Sequence, residues 1–97
     1  MTLTAKQRQY LRGLAHDLEP VLRVGRAGVS DAVIKEGHVT FAAHELAKVR
    51  IDADEPSARR EMAATLAAAT GAAVAGVVGK MAILYKPRAE KPVIKLP

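Results

Sequence analysis

Residues 21–33 hold the tightest constraint in this chain of 97 residues. Val21-Leu22-Arg23-Val24 reads as a short strand, Gly25-Arg26-Ala27-Gly28 follows at once, and Ser30-Asp31-Ala32-Val33 opens a helix with serine in the capping position. The chain must therefore turn from strand to helix through a Gly-x-x-Gly loop. Glycine tolerates positive φ and carries no side chain, so backbone N–H groups in such a loop can approach an anion closely. The dipole of the following helix adds to that attraction, and Arg26 supplies a permanent charge able to fork onto a phosphate. The same four residues also suit a plain tight turn, and the motif alone does not separate the two readings.

A hydrophobic content of 49% in a chain of this length calls for one small domain with a modest core. Cysteine is absent, which excludes a disulfide scaffold, a thiol nucleophile and a cysteine zinc site, and fits a reducing cytosol. Met1-Thr2-Leu3-Thr4-Ala5-Lys6 is polar and charged where a secretion signal would carry its apolar core. The most apolar stretch, 71–85, is interrupted by Lys80 and falls short of the roughly 18 residues of a membrane helix. A soluble, cytoplasmic protein without a membrane partner is expected. Net charge is +5, unevenly spread: residues 1–29 carry +3, residues 30–79 carry −2 and residues 80–97 carry +4. Were the fold to bring the loop beside the C-terminal segment, one face would attract a polyanion.

Read in order, residues 4–15 form a helix with Thr4 and Gln7 at capping-box spacing and Leu11, Leu14 and Ala15 on one stripe. Gly13 lies inside this helix at a cost of about 1 kcal/mol against alanine, so close backbone packing is expected there. Lys6, Arg8 and Arg12 occupy the remaining surface, either as a solvated face or as part of a phosphate-contacting patch. The second helix runs from Asp31 to about His44, with Val33, Ile34, Gly37 and Phe41 toward the core. Phe41, the single phenylalanine, reads as core rather than as a stacking platform.

Residues 45–51 alternate as a strand, with Ala47, Val49 and Ile51 on one face and Leu46, Lys48 and Arg50 on the other. Lys48 and Arg50 are thus neighbours on one sheet face. A third helix spans Ser57 to Thr70 with Met62, Leu66 and Ala69 as a narrow stripe and Gly71 as its stop. Ala73–Val78 and Met81–Tyr85 flank Gly79-Lys80 as a two-residue hairpin. From Lys86 to Pro97, three prolines and four basic residues show no buried pattern, and an extended or flexible tail is expected. The predicted fold is an α/β two-layer sandwich in the order helix-strand-helix-strand-helix-strand-strand. Its four-stranded mixed sheet is parallel where helices intervene and antiparallel at the last hairpin.

Four segments read together resemble one family: Leu11-Arg12-Gly13-Leu14-Ala15-His16, Val24-Gly25-Arg26-Ala27-Gly28-Val29, residues 44–51 and residues 78–87. In this order and spacing they are similar to the CRM domain, in its stand-alone bacterial YhbY-like form. The resemblance implies a fold like the C-terminal domain of translation initiation factor three, a domain over residues 1–88, and a basic tail over 89–97. It implies binding to structured ribosomal RNA and association with large-subunit (50S) precursors during ribosome assembly. No catalytic residue, cofactor, metal or small-molecule substrate is implied. The family's loop, similar in role to that of KH domains, maps onto Gly25, Arg26, Ala27 and Gly28, with alanine in place of a polar third residue. Lys6, Arg12, Arg23, Lys80 and Lys86 are the expected electrostatic guides to RNA.

Two other readings differ in class. Basic faces would equally suit an adaptor for an acidic protein partner. His38, His44 and Glu45 lie near one another in sequence as metal ligands do, but His38 and His44 are six residues apart and fall on different helix faces.

Overall fold

The computed structural model describes residues 1–97. The elements follow the predicted order: α1 Ala5–Ala15, β1 Leu22–Val24, α2 Asp31–Ala43, β2 Leu46–Ile51, α3 Pro56–Thr70, β3 Ala73–Val78 and β4 Met81–Tyr85. Local chemistry sets the ends. Thr4 and Gln7 form a complete capping box, Ser30 Oγ accepts from the Val33 N–H at 3.2 Å, and α3 stops at Gly71.

The strands lie in the order β1-β2-β4-β3. β1 is parallel to β2, β2 is antiparallel to β4, and β4 is antiparallel to β3. The β2-α3-β3 crossover therefore keeps strand direction but leaves a gap that β4 fills. The helices divide between the two sheet faces, α2 and α3 on one and α1 on the other. The layers therefore number three and not the two expected from sequence, because strand alternation leaves an apolar row on each face to be covered. Leu22, Val24, Ala47, Val49, Ile51 and Leu84 meet Phe41 of α2 and Leu66 of α3 on one face. On the other, Leu46, Ala75, Ile83 and Tyr85 meet Leu11 and Ala15 of α1. Alternation at a period of two sends the apolar residues of β2, β3 and β4 to both faces, while β1 gives Leu22 and Val24 to the α2 and α3 side alone.

Three local expectations change. In α1 only Leu11 and Ala15 are buried, Leu14 stays exposed, and a Cβ built on Gly13 would meet nothing within 4 Å. The helix touches the sheet through one narrow i, i+4 row, and Gly13 stands beside that row with open space around it. In α3 the buried row is Ala63, Leu66, Ala67 and Thr70, while Ala69 is exposed. An alanine-rich helix has too little contrast in hydropathy for its inward face to be phased from sequence.

The tail is the third correction. Far from hanging free, it is latched by Glu45, whose side chain is buried just before β2. Glu45 Oε1 accepts the N–H groups of Val93 at 2.7 Å and Ile94 at 2.9 Å, and Oε2 accepts that of Arg88 at 2.9 Å. Ile94 and Leu96 pack on the α1 layer, and the Gln7 side-chain amide donates to the Pro97 carbonyl at 3.3 Å. Burial alone would raise the Glu45 carboxyl above its ordinary 4.5, but the N–H groups of Arg88, Ile94 and Val93 and the Arg88 charge outweigh it and lower the value. A lowered folded value makes the latch complete above about pH 4.5 and loosens it as pH falls through that lowered value. Glu45→Ala is expected to cost about 1–2 kcal/mol and to accelerate amide exchange at Val93 and Ile94, measured by NMR.

Candidate nucleic-acid interface

The parallel pairing of β1 with β2 brings the loop after each strand to one end of the sheet, and the β3–β4 hairpin turns at the same end. Its tip is tied there, since the Lys80 carbonyl accepts the Ile51 N–H at 2.7 Å. Asp52 N–H donates to the Val24 carbonyl at 3.0 Å, which closes the β1 end. Residues 25–28, 52–55 and 79–80 are thereby gathered from three separate parts of the chain.

Four cations converge on this end. Arg23, Arg26, Arg50 and Lys80, with Asp52, line an open depression of about 490 Å³ that has no apolar side chain in its wall. Arg23 and Arg50 are directly paired across β1 and β2 on the same sheet face. Like charges so placed repel. Asp52 sits between them, with Oδ2 2.6 Å from Arg23 Nε and Oδ1 3.0 Å from Arg50 Nε. Its carboxyl is held below the ordinary 3.8, first by the Arg23 hydrogen bond against a smaller desolvation penalty, then by Arg50. One carboxylate thus fixes two guanidinium groups side by side and leaves their outer edges free.

Asp54 plays a looser part, 3.6 Å from Arg26 and 3.8 Å from Lys80, with all three side chains solvated. The depression therefore carries four positive charges against two negative ones. Solvated pairs of this kind are worth only about 0–1 kcal/mol, so an incoming polyanion can displace Asp54 readily.

The Gly-x-x-Gly loop is a single turn in which the Gly28 N–H donates to the Gly25 carbonyl at 3.0 Å. Gly28 has φ +94°, a conformation that favours glycine, whereas Gly25 is not in the left-handed region. Since the Gly28 donor is spent inside the turn, the expectation of two glycines presenting N–H groups reduces to a bare backbone at Gly25, where a Cβ would meet nothing. Ala27 is exposed between them. Charge at the loop comes from Arg26.

The structure gathers Arg23, Arg26 and Lys80 of the residues expected from sequence. Lys86 lies beyond the opposite end of β4, where its amine covers the C-terminal end of α3 beside Gly71. Arg12 lies on the α1 side of the sheet but outside the cluster, donating to the Ala75 carbonyl at 2.9 Å, with its stem filling the space over Gly76. Lys6 is exposed in the first turn of α1. Arg50 belongs to the cluster although sequence analysis did not place it among the RNA guides; its alternation with Lys48 on one strand face was the available signal. Of the histidine and carboxylate group, His38 is exposed, His44 caps α2, and Glu45 is committed to the tail. No helix is long and apolar enough to cross a membrane.

Comparison with known proteins adds an independent line. Residues 3–86 match the CRS1 / YhbY (CRM) domain model. The chain is 34% identical over 96 residues to a protein of Haemophilus influenzae named RNA-binding protein, covering 99% of this chain and 96% of that one. It is likewise 34% identical over 95 residues to the Bacillus subtilis protein named Probable RNA-binding protein YqeI, covering 98% and 99%. Among solved structures, the solution structure of the hypothetical protein SAV1595 from Staphylococcus aureus superposes with a TM-score of 0.89. It shares 35% sequence identity, with 99% of this chain and all of that chain covered.

Proposed function

This chain belongs to the CRS1 / YhbY (CRM) domain family, and from that premise we propose that it is a non-enzymatic module that binds structured ribosomal RNA on large-subunit (50S) precursors. The observation that carries the reading is the depression lined by Arg23, Arg26, Arg50 and Lys80 and by no apolar side chain. Such a surface suits phosphate oxygens: guanidinium forks donate to two oxygens at once, and the exchange of counterions for protein cations drives association. Lys6, Arg12 and Lys86 lie outside the cluster and act as weaker, longer-range guides. Phe41 and Tyr85 are buried, which leaves Tyr10 as the exposed aromatic ring. With so few stacking platforms, selectivity rests on RNA shape.

Asp54 sets a measurable brake on this surface. Asp54→Asn removes a competitor for Arg26 and Lys80, and RNA affinity is expected to rise roughly two- to fivefold, in keeping with the small worth of each solvated pair. A filter-binding titration against one structured RNA reads it.

The assembly role is tested by sedimenting lysate through a sucrose gradient and probing free, small-subunit, large-subunit and assembled-ribosome fractions. Enrichment with large-subunit precursors, lost for Arg26→Ala, is the expected result. An acidic protein partner that stays bound after thorough nuclease treatment, with no ribosomal enrichment, overturns it in favour of an adaptor.

A further inference from the structure

Besides the charged depression, the α1 side of the sheet carries a second concavity of different character. The C-terminal half of α1 stands over β2, β3 and β4 and leaves a groove of about 560 Å³. Val78, Met81 and Ile83 give it apolar lining from the sheet, while Arg12, Gly13 and Lys48 contribute from the helix and from β2. A volume of this order falls in the range of small-ligand pockets.

The groove is held open by its own walls. The Arg12 guanidinium is fixed to the Ala75 carbonyl at 2.9 Å, and the Lys48 amine donates to the His16 carbonyl at 3.2 Å. Gly13, which pays a helix-propensity cost with no close packing to explain it, lines this groove. A side chain there would begin to fill the space. Lys48 and Arg50 are two residues apart on one face of β2, about 7 Å along the strand, so the groove and the cationic depression adjoin.

We propose that this groove receives one unstacked nucleobase of the bound RNA, its flanking phosphates lying between Lys48 and Arg50. The inference rests on the RNA-binding reading above and deepens it. The chemistry matches in each part: the apolar residues Val78, Met81 and Ile83 take a base face, the Arg12 plane offers a stacking or edge contact, and the cations take the backbone. A fully paired stem has no base to offer. The groove therefore makes the protein prefer RNA with an unpaired nucleotide beside a helix, a selectivity that the phosphate contacts alone do not supply.

The test compares two hairpin RNAs of equal length and charge, one fully paired along its stem and one with a single-nucleotide bulge carrying 2-aminopurine. Wild-type protein is expected to bind the bulged RNA about tenfold more tightly, the scale of one buried base, and to change the 2-aminopurine fluorescence. Gly13→Leu is expected to keep the paired-stem affinity and its salt slope while losing the tenfold preference and the fluorescence change. Leucine is the better helix former and its Cβ meets no neighbour, so folding is retained. Equal binding of both RNAs by wild type, or an undiminished preference in Gly13→Leu, overturns the base-binding groove while leaving phosphate recognition standing. Absence of binding to either RNA at low salt overturns both readings together.

Discussion

Alanine at Arg26, Arg50 and Lys80 together is expected to weaken binding to a structured RNA about a hundredfold near 0.1 M salt and to lower the salt slope by about 2–3. Each residue lines the one depression, so each removes a separate phosphate contact. Arg26→Ala alone is expected to lower the slope by about 1. The fold tolerates the triple change. Arg26 and Lys80 pair only with the solvated Asp54, and Asp52 keeps Arg23 when Arg50 is gone. Lys86→Ala serves as the contrast, because Lys86 lies at the far end of β4 and its loss should lower the slope much less. Fluorescence anisotropy against salt concentration provides the measurement, and an unchanged slope in the triple variant would sink the proposed interface.

The second large effect concerns stability and separates two helical glycines that look alike in sequence. Gly37 of α2 is buried against α3, and a Cβ there would sit 2.9 Å from Thr70 Cγ2 and 3.5 Å from Leu66 Cδ1. Neither neighbour can yield cheaply. Thr70 is 2% exposed and its hydroxyl is bonded to the Leu66 carbonyl at 2.8 Å. Leu66 is fully buried. Gly37→Leu therefore overpacks the α2–α3 contact and is expected to cost about 3 kcal/mol, at the upper end of such substitutions. In a domain of this size that corresponds to a fall in Tm on the order of 15 °C. Gly13→Ala carries the opposite sign: with open space around its Cβ, it is expected to stabilise by roughly 0.5–1 kcal/mol. Thermal unfolding followed by circular dichroism reads both. Equal shifts for the two variants would contradict the packing described here.

The glycines also mark where sequence reading lost its grip. Close packing was expected at Gly13, yet the glycine pressed against a neighbouring helix is Gly37, whose contacts come from α3 and β1. Periodicity places a residue on a helix face but does not say what lies opposite. Arg50 failed to stand out for the same reason: its alternation with Lys48 was visible, while its pairing with Arg23 depends on the parallel register of β1 and β2. Glu45 read as a strand opening. Its role as the latch for residues 88–94 needed the tail to be folded back beside it.

What this sequence determined by itself was local. The order of seven elements, the Thr4 and Ser30 caps, the Gly71 stop and the Gly79-Lys80 hairpin all rest on contacts within a few residues, where side-chain chemistry acts directly on the backbone. Tertiary structure decided the division of helices between the two sheet faces, the docking of the tail and the gathering of Arg23, Arg26, Arg50 and Lys80. Those features join residues as distant as Arg23 and Asp52, 29 apart, or Glu45 and Val93, 48 apart. Their geometry is set by strand register and core packing, which belong to the whole chain and are written in no single stretch of it.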